Sequence, residues 1–201
     1  EPEDLSNHSP VLIVSWDSEK LNVTGEEIAE ELGRTKPRIA IGSSGVRGYE
    51  KGTTSVNITT GQMQPGEDKV VTQRLSEVLG RKRQARPTQM KAAVANLTGR
   101  WNFKIKYFSS ESNHIINMEQ DGNWIQGTHK GDFDTRDLEG TVEGNEVRLR
   151  STTRSPGDFI TYIFSGNSDG NSISGDIHMG EYRTATFTAT RYEYRKHRGP
   201  I

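Results

Sequence analysis

The alternation of apolar and polar positions changes character once along this chain, close to residue 84. Before that point strand-like and helix-like stretches follow one another. Val11, Leu12, Ile13 and Val14 form a continuous apolar run ending at Trp16, the pattern of a strand covered on both sheet faces. Thr24 is placed to cap a helix, with Glu27 three residues on as its capping-box partner and Val23 set to pack on Ile28. Ile28, Ala29 and Leu32 supply the buried side of that helix, Gly33 a left-handed exit, and Pro37 a stop. Residues 38–43, with Ile39, Ala40 and Ile41, predict a second strand, and residues 55–60, with Val56 and Ile58 alternating, a third. Residues 64–83 predict a second helix: Pro65 and two acids stand at its start, and Val71, Leu75, Val78 and Leu79 recur on one stripe. The expected unit, residues 1–83, is a small α/β sandwich of three strands and two helices. Two helices cover one face of such a sheet, so a second covering surface is expected from outside the chain.

From Leu97 the period is two. Trp101, Phe103, Ile105 and Tyr107 alternate with Arg100, Asn102, Lys104 and Lys106, a strand with one dry face. Similar runs follow at 114–120, 124–133, 138–142, 146–151, 159–166, 172–179 and 184–192. Asp121-Gly-Asn123, Glu143-Gly-Asn145 and Asp169-Gly-Asn171 offer the positive-φ residues of two-residue hairpins. About eight short strands joined mainly by hairpins predict an all-β antiparallel up-and-down barrel over residues 97–192, which abolishes its own sheet edges. The chain as a whole is therefore a two-domain α+β protein, with a linker at 84–96 and a basic tail at 193–201.

Composition narrows the chemistry. Hydrophobic residues make up 30% of the 201 positions, which implies thin cores and partner surfaces. A formal net charge of −1 supplies no global attraction to nucleic acid. The local cluster Arg81, Lys82, Arg83, Arg86 and Lys91 lacks interleaved aromatics for base stacking, so nucleic acid is not predicted as a partner. Zero cysteines exclude disulfides, thiolate metal sites and cysteine nucleophiles, and no apolar run approaches a membrane span. The chain begins at Glu1 with no leader pattern, as a processed protein or a piece of a longer one would. The glycines at 42, 45, 48 and 52 join two strands and do not open a helix, so a mobile hairpin connection is expected there before a phosphate cradle.

One internal repeat carries candidate chemistry. Asp121-Gly-Asn-x-Ile125-x-Gly127 recurs as Asp169-Gly-Asn-x-Ile173-x-Gly175, and each copy continues into His-x-Gly, an acid and an aromatic ring. The first supplies His129, Asp132 and Phe133; the second supplies His178, Glu181 and Tyr182 after one extra residue, so a β-bulge is needed to aim both histidines alike. If the two hairpins meet at one barrel mouth, His129, Asp132, His178 and Glu181 converge near Arg136 and Arg183. That set suits a small polar ligand, a divalent metal, or a gate to a neighbouring site. The bland alternative is a shared strand-end turn, with glycine for conformation and the ring for packing. His8, His114 and His197 show no such company in the sequence.

Several blocks in the first half occur in a recognisable order: Pro10-Val-Leu-Ile-Val-Ser-Trp16-Asp, Thr24-Gly-Glu-Glu-Ile28, Lys36-Pro-Arg-Ile39 and Gln62-Met-Gln-Pro-Gly-Glu-Asp-Lys69-Val-Val-Thr-Gln-Arg74-Leu75. They resemble the C-terminal small domain of selenocysteine-synthase-like proteins, the seryl-tRNA selenium transferase relatives among fold-type I pyridoxal-phosphate enzymes. The resemblance implies a parent lyase or transferase acting on an amino acid or amino sugar. It implies pyridoxal phosphate held by a large preceding domain that this chain lacks, and a homo-oligomeric assembly. It nominates no catalytic residue here; Lys36, Lys51 and Lys69 read as solvated charges. Small domains of such enzymes lend an arginine to the substrate carboxylate, and Arg38 is the candidate. Gly99-x-Trp101 and the hairpin spacing resemble calycin barrels, the lipocalin and avidin group. Such a barrel is expected to shape substrate access or assembly, or to hold a small polar ligand in a binding protein without catalysis.

Overall fold

A computed structural model describes residues 10–44, 52–61, 63–85, 89–153, 160–182 and 184–193. The expected frayed start, most of the glycine-rich loop, His8, Lys51, Arg86, Arg183, His197 and the basic tail lie outside these residues. The chain forms two compact units, residues 1–88 and 89–201.

The first unit is a three-stranded antiparallel sheet in the order β1-β3-β2, from β1 (Val11–Asp17), β2 (Gly42–Ser44) and β3 (Thr53–Thr59). A short helix α1 (Ser18–Leu21) follows β1, capped by the Asp17 carboxylate. The capping box of α2 (Gly25–Arg34) is present in both directions, Glu27 N–H to Thr24 Oγ1 and Thr24 N–H to Glu27 Oε2. The helix runs through Gly33 and ends at an extended Thr35, so the expected glycine exit is not used. Gly25 is needed for packing: a Cβ there would collide with the Ser55 carbonyl on β3, and its N–H donates to Thr54 Oγ1 at 2.8 Å. α3 (Glu67–Leu79) buries Val71, Leu75 and Val78, as its stripe predicts. Ile28, Leu32, Val56 and Val78 are fully buried at the centre of this core.

Two expectations change here. The second strand is shorter than residues 38–43, because Arg38–Ile41 runs as an irregular segment whose Ile39 N–H bonds the Leu32 carbonyl. Val11, Leu12 and Ile13, read as buried on both faces, are about half exposed. They lie on an edge strand, and the helices of this unit reach only its Val14 and Trp16 end.

The second unit is a closed eight-stranded antiparallel barrel. Its strands are β4 (Gly99–Lys106), β5 (Glu111–Asp121), β6 (Trp124–Lys130), β7 (Thr135–Glu143), β8 (Glu146–Thr152), β9 (Tyr162–Ser168), β10 (Ser172–His178) and β11 (Ala185–Arg191). Each strand pairs with the next, and β11 pairs with β4 to close the ring, so no edge remains. Gly122 and Gly144 take positive φ in two-residue turns, while Asp169–Ser172 makes a longer loop tied by the Asp169 carboxylate to the Asn171 and Ser172 amides. Inward-facing Gly127, Gly140, Gly166 and Gly175 let the strands coil tightly; a Cβ on Gly175 would collide with the Ser165 carbonyl. Phe103, Phe164 and Phe187 fill the middle with ring centroids 5.2 to 5.6 Å apart.

Part of the expected linker belongs to this barrel. Lys91–Ala95 lies across the turns at one end: Val94 N–H bonds the Gly144 carbonyl, Asn123 Nδ2 donates to the Lys91 carbonyl, and Ala93 and Ala95 pack on the core. Among the described residues no helix is long and apolar enough to cross a membrane.

Candidate functional site

The two ends of the barrel differ in chemistry. At the plugged end Trp101 is fully buried and donates from Nε1 to the Leu97 carbonyl at 2.8 Å. The Arg191 guanidinium lies 4.6 Å over its ring and donates to the carbonyls of Thr98, Asn96 and Gly170 at 2.7, 2.8 and 3.0 Å.

At the other end the dry stripe of four strands is interrupted by polar side chains. His114 continues the inward row of Ile116 and Met118 on β5, His129 that of Ile125 and Gly127 on β6, and Ser151 that of Val147 and Leu149 on β8. Register brings them together, because Ile116 pairs with His129, His129 with Arg136, and Leu138 with Ser151. His129 Nδ1 lies 2.7 Å from Ser151 Oγ, and His129 Nε2 lies 2.7 Å from His114 Nδ1. His114 Nε2 faces Asp132 Oδ2 at 3.7 Å, and Ser112 Oγ donates to the same carboxylate at 2.7 Å. Ser151 and His129 are 0% exposed, while Asp132 is 51% exposed, so the row runs from the barrel interior to solvent.

Burial, the neighbouring His114 and the Arg136 charge together push the His129 pKa down to about 3. Burial also lowers that of His114, against the opposing pull of the Asp132 and Asp134 carboxylates. Both imidazoles are therefore neutral at pH 7. Arg136 is buried beside them, paired with Asp134 through Nε at 2.8 Å and donating to the Ile160 carbonyl at 2.6 Å. Its guanidinium stacks 4.7 Å over Tyr162. Burial and Tyr162 raise the Tyr107 pKa at the same rim.

Of the residues singled out from sequence, His129, Asp132 and Arg136 meet here. His178 does not join them. β10 is regular through its pairing with β9 and β11, with no bulge to absorb the extra residue. Ile177 takes the inward position opposite Phe164, and His178 pairs with Ile163 on the other face. Glu181 is exposed in the β10–β11 turn at the same barrel end. Phe133 is fully exposed and Tyr182 half exposed, so neither ring of the repeat packs inward. Sequence reasoning passed over His114 and Ser151; the available signal was a polar residue in phase with an apolar stripe. Arg38, in the first unit, donates from Nε to the Gly33 carbonyl at 3.1 Å, at the C-terminal end of α2.

Several other features bear on partners. Arg81 of the basic cluster pairs with Glu31 and Glu77, and Arg83 donates to the Val78 carbonyl at 2.8 Å. An open groove of about 720 Å³ on the outer barrel wall, over Thr141, Arg148, Ser165 and Asp176, is bordered by none of the predicted site residues. Among the described residues no group of three or more His, Asp or Glu is placed to hold a metal ion. Every described lysine is exposed, so none fits a buried Schiff-base partner for pyridoxal phosphate.

No family model, curated protein or solved structure matches this chain.

Proposed function

We propose that this chain is the C-terminal part of a pyridoxal-phosphate-dependent enzyme of the selenocysteine-synthase-like kind, a lyase or transferase acting on an amino acid or amino sugar. The barrel is an appended module that shapes substrate access or assembly. The observation that carries the reading is the half-exposed row Val11, Leu12 and Ile13 on β1, apolar surface in want of a cover. A large cofactor-binding domain of the same polypeptide is the cover proposed, and the assembly is a homo-oligomer. Residues of this chain perform no step on the cofactor; Arg38 is the proposed carboxylate ligand. The test is the visible spectrum of the polypeptide expressed from its native gene, before and after borohydride. A yellow protein bleached by borohydride supports the reading, and a colourless one sinks it. With a yellow parent, Arg38→Ala is expected to raise KM for a carboxylate substrate at least tenfold while the visible band stays unchanged.

The polar end of the barrel favours a second reading, a non-catalytic module that holds a small polar ligand. The interior is occupied by aromatic rings, so such a ligand sits at the rim beside Asp132, next to Arg136 and the His114–His129 pair. Thermal unfolding of the full chain with free amino acids, dicarboxylates and inorganic phosphate tests it. A rise in midpoint that Asp132→Ala abolishes supports it, and a flat response across the panel dismisses it.

A further inference from the structure

The row from Ser151 to Asp132 fixes not only where its atoms lie but where its protons must be. A hydrogen bond between two neutral imidazoles needs one N–H and one bare nitrogen, so the tautomer of one histidine dictates that of the other. The exposed end sets the direction. The Asp132 carboxylate, 3.7 Å from His114 Nε2, favours the tautomer carrying its proton there. His114 Nδ1 is then an acceptor, His129 Nε2 carries the proton between the two rings, and His129 Nδ1 is left bare to accept from the Ser151 hydroxyl. Every proton in the row points toward Asp132.

We infer that this row is a proton-operated polarity switch: one proton taken up by His114 at the rim reverses the tautomer of His129 and turns the buried Ser151 from donor to acceptor. The geometry requires it. A second proton on His114 occupies Nδ1, and two N–H groups cannot face each other at 2.7 Å. His129 resolves the clash by carrying its single proton on Nδ1, whose N–H donates to Ser151 Oγ and releases the serine O–H for another acceptor. The count balances: the two rings and the serine hold three protons before and four after, the added one coming from solvent.

The groups around the row decide where that proton enters. His114 faces Asp132 and Asp134 from the β6–β7 loop, both of which favour its charged form, and Arg136 from β7, which opposes it. His129 faces Arg136, Ser151 and, from β9, Tyr162; it is completely buried and, among the described residues, no carboxylate acts on it. Tyr107 at the rim, its pKa raised by burial and by Tyr162, stays neutral across the acid range. Entry is thus at His114. The inference holds whichever parent carries the barrel, and it gives the polar end two hydrogen-bonding faces selected by pH.

Imidazole ¹⁵N chemical shifts of the uniformly labelled full chain, followed from pH 7.5 to 4.5, test it without any substitution. At the upper limit both rings are expected as Nε2–H tautomers. As His114 titrates, the two nitrogens of His129 should exchange protonation state in parallel, with the ring still neutral. A His129 that keeps Nε2–H through the His114 titration, or protonates before it, overturns the inference. Asp132→Asn should move the shared midpoint down by about one pH unit, since an opposite charge at this range favours the imidazolium. An unmoved midpoint would remove Asp132 from control of the switch.

Discussion

Two arginines hold the two ends of the barrel, and their surroundings differ. Arg191 is ringed by three carbonyls and an indole, none of which titrates in the working range. Arg136 has a carboxylate, a carbonyl and a tyrosine ring, with two uncharged imidazoles beside it. Both are packed and hydrogen-bonded, so both stabilise the fold. Among the described residues only the second end buries imidazoles beside its arginine. The contrast teaches that a closed barrel, in which each strand supports its neighbours, can bury titratable imidazoles at one end while at the other the Asp169 carboxylate, held below its ordinary range by hydrogen bonds from Ser172 and Asn171, stays exposed on a turn.

The largest expected effect tests that contrast directly. The His129 pKa is near 3 in the folded barrel against an ordinary 6.5, so the unfolded chain takes up the proton first as pH falls. Stability is complete above about pH 6.5 and declines toward pH 3, a loss reaching about 5 kcal/mol at the limit. His114 adds to it with the same sign. Urea unfolding at a series of pH values measures the slope, and His129→Phe should flatten it. A slope unchanged in that variant would place the acid sensitivity elsewhere.

At the plugged end, Trp101→Ala should cost about 4 kcal/mol through the cavity it leaves, by the same amount at pH 5 and pH 8. Arg191→Ala should cost about 2 kcal/mol, for the loss of charge-assisted bonds to three carbonyls, again without pH dependence. The smallest effect belongs to Ser151→Ala. It removes one buried hydrogen bond, about 1 kcal/mol near neutrality, and the cost should shrink or grow with pH as the His129 tautomer changes. A pH-dependent loss in Arg191→Ala, or a pH-independent one in Ser151→Ala, would erase the distinction between the ends.

Much of the architecture could be read in the sequence, because period-two alternation and glycine turns are local signals that the barrel then obeys. The capping box at Thr24 and Glu27 is equally local. Pairing across strands is not local. Ser151 and His129 stand 22 positions apart and meet because β7 lies between their strands in a fixed register. The repeat misled for a related reason. A single extra residue before His178 puts it on the opposite face unless a bulge intervenes, and which outcome holds depends on the partner strands. Val11, Leu12 and Ile13 read as doubly covered because an apolar run reports what a strand is suited to, whereas among the described residues the core of this unit reaches only the Val14 and Trp16 end of β1.

The pairing of β11 with β4 has a consequence for how such a module travels between proteins. Tyr192 N–H bonds the Arg100 carbonyl, so the place where the chain enters the barrel and the place where it leaves are neighbours. A fold whose two ends share one doorway can be spliced into a surface loop of a host, or have its ends joined and a new opening cut at the Gly122-Asn123 turn, with its ring of strands unaltered.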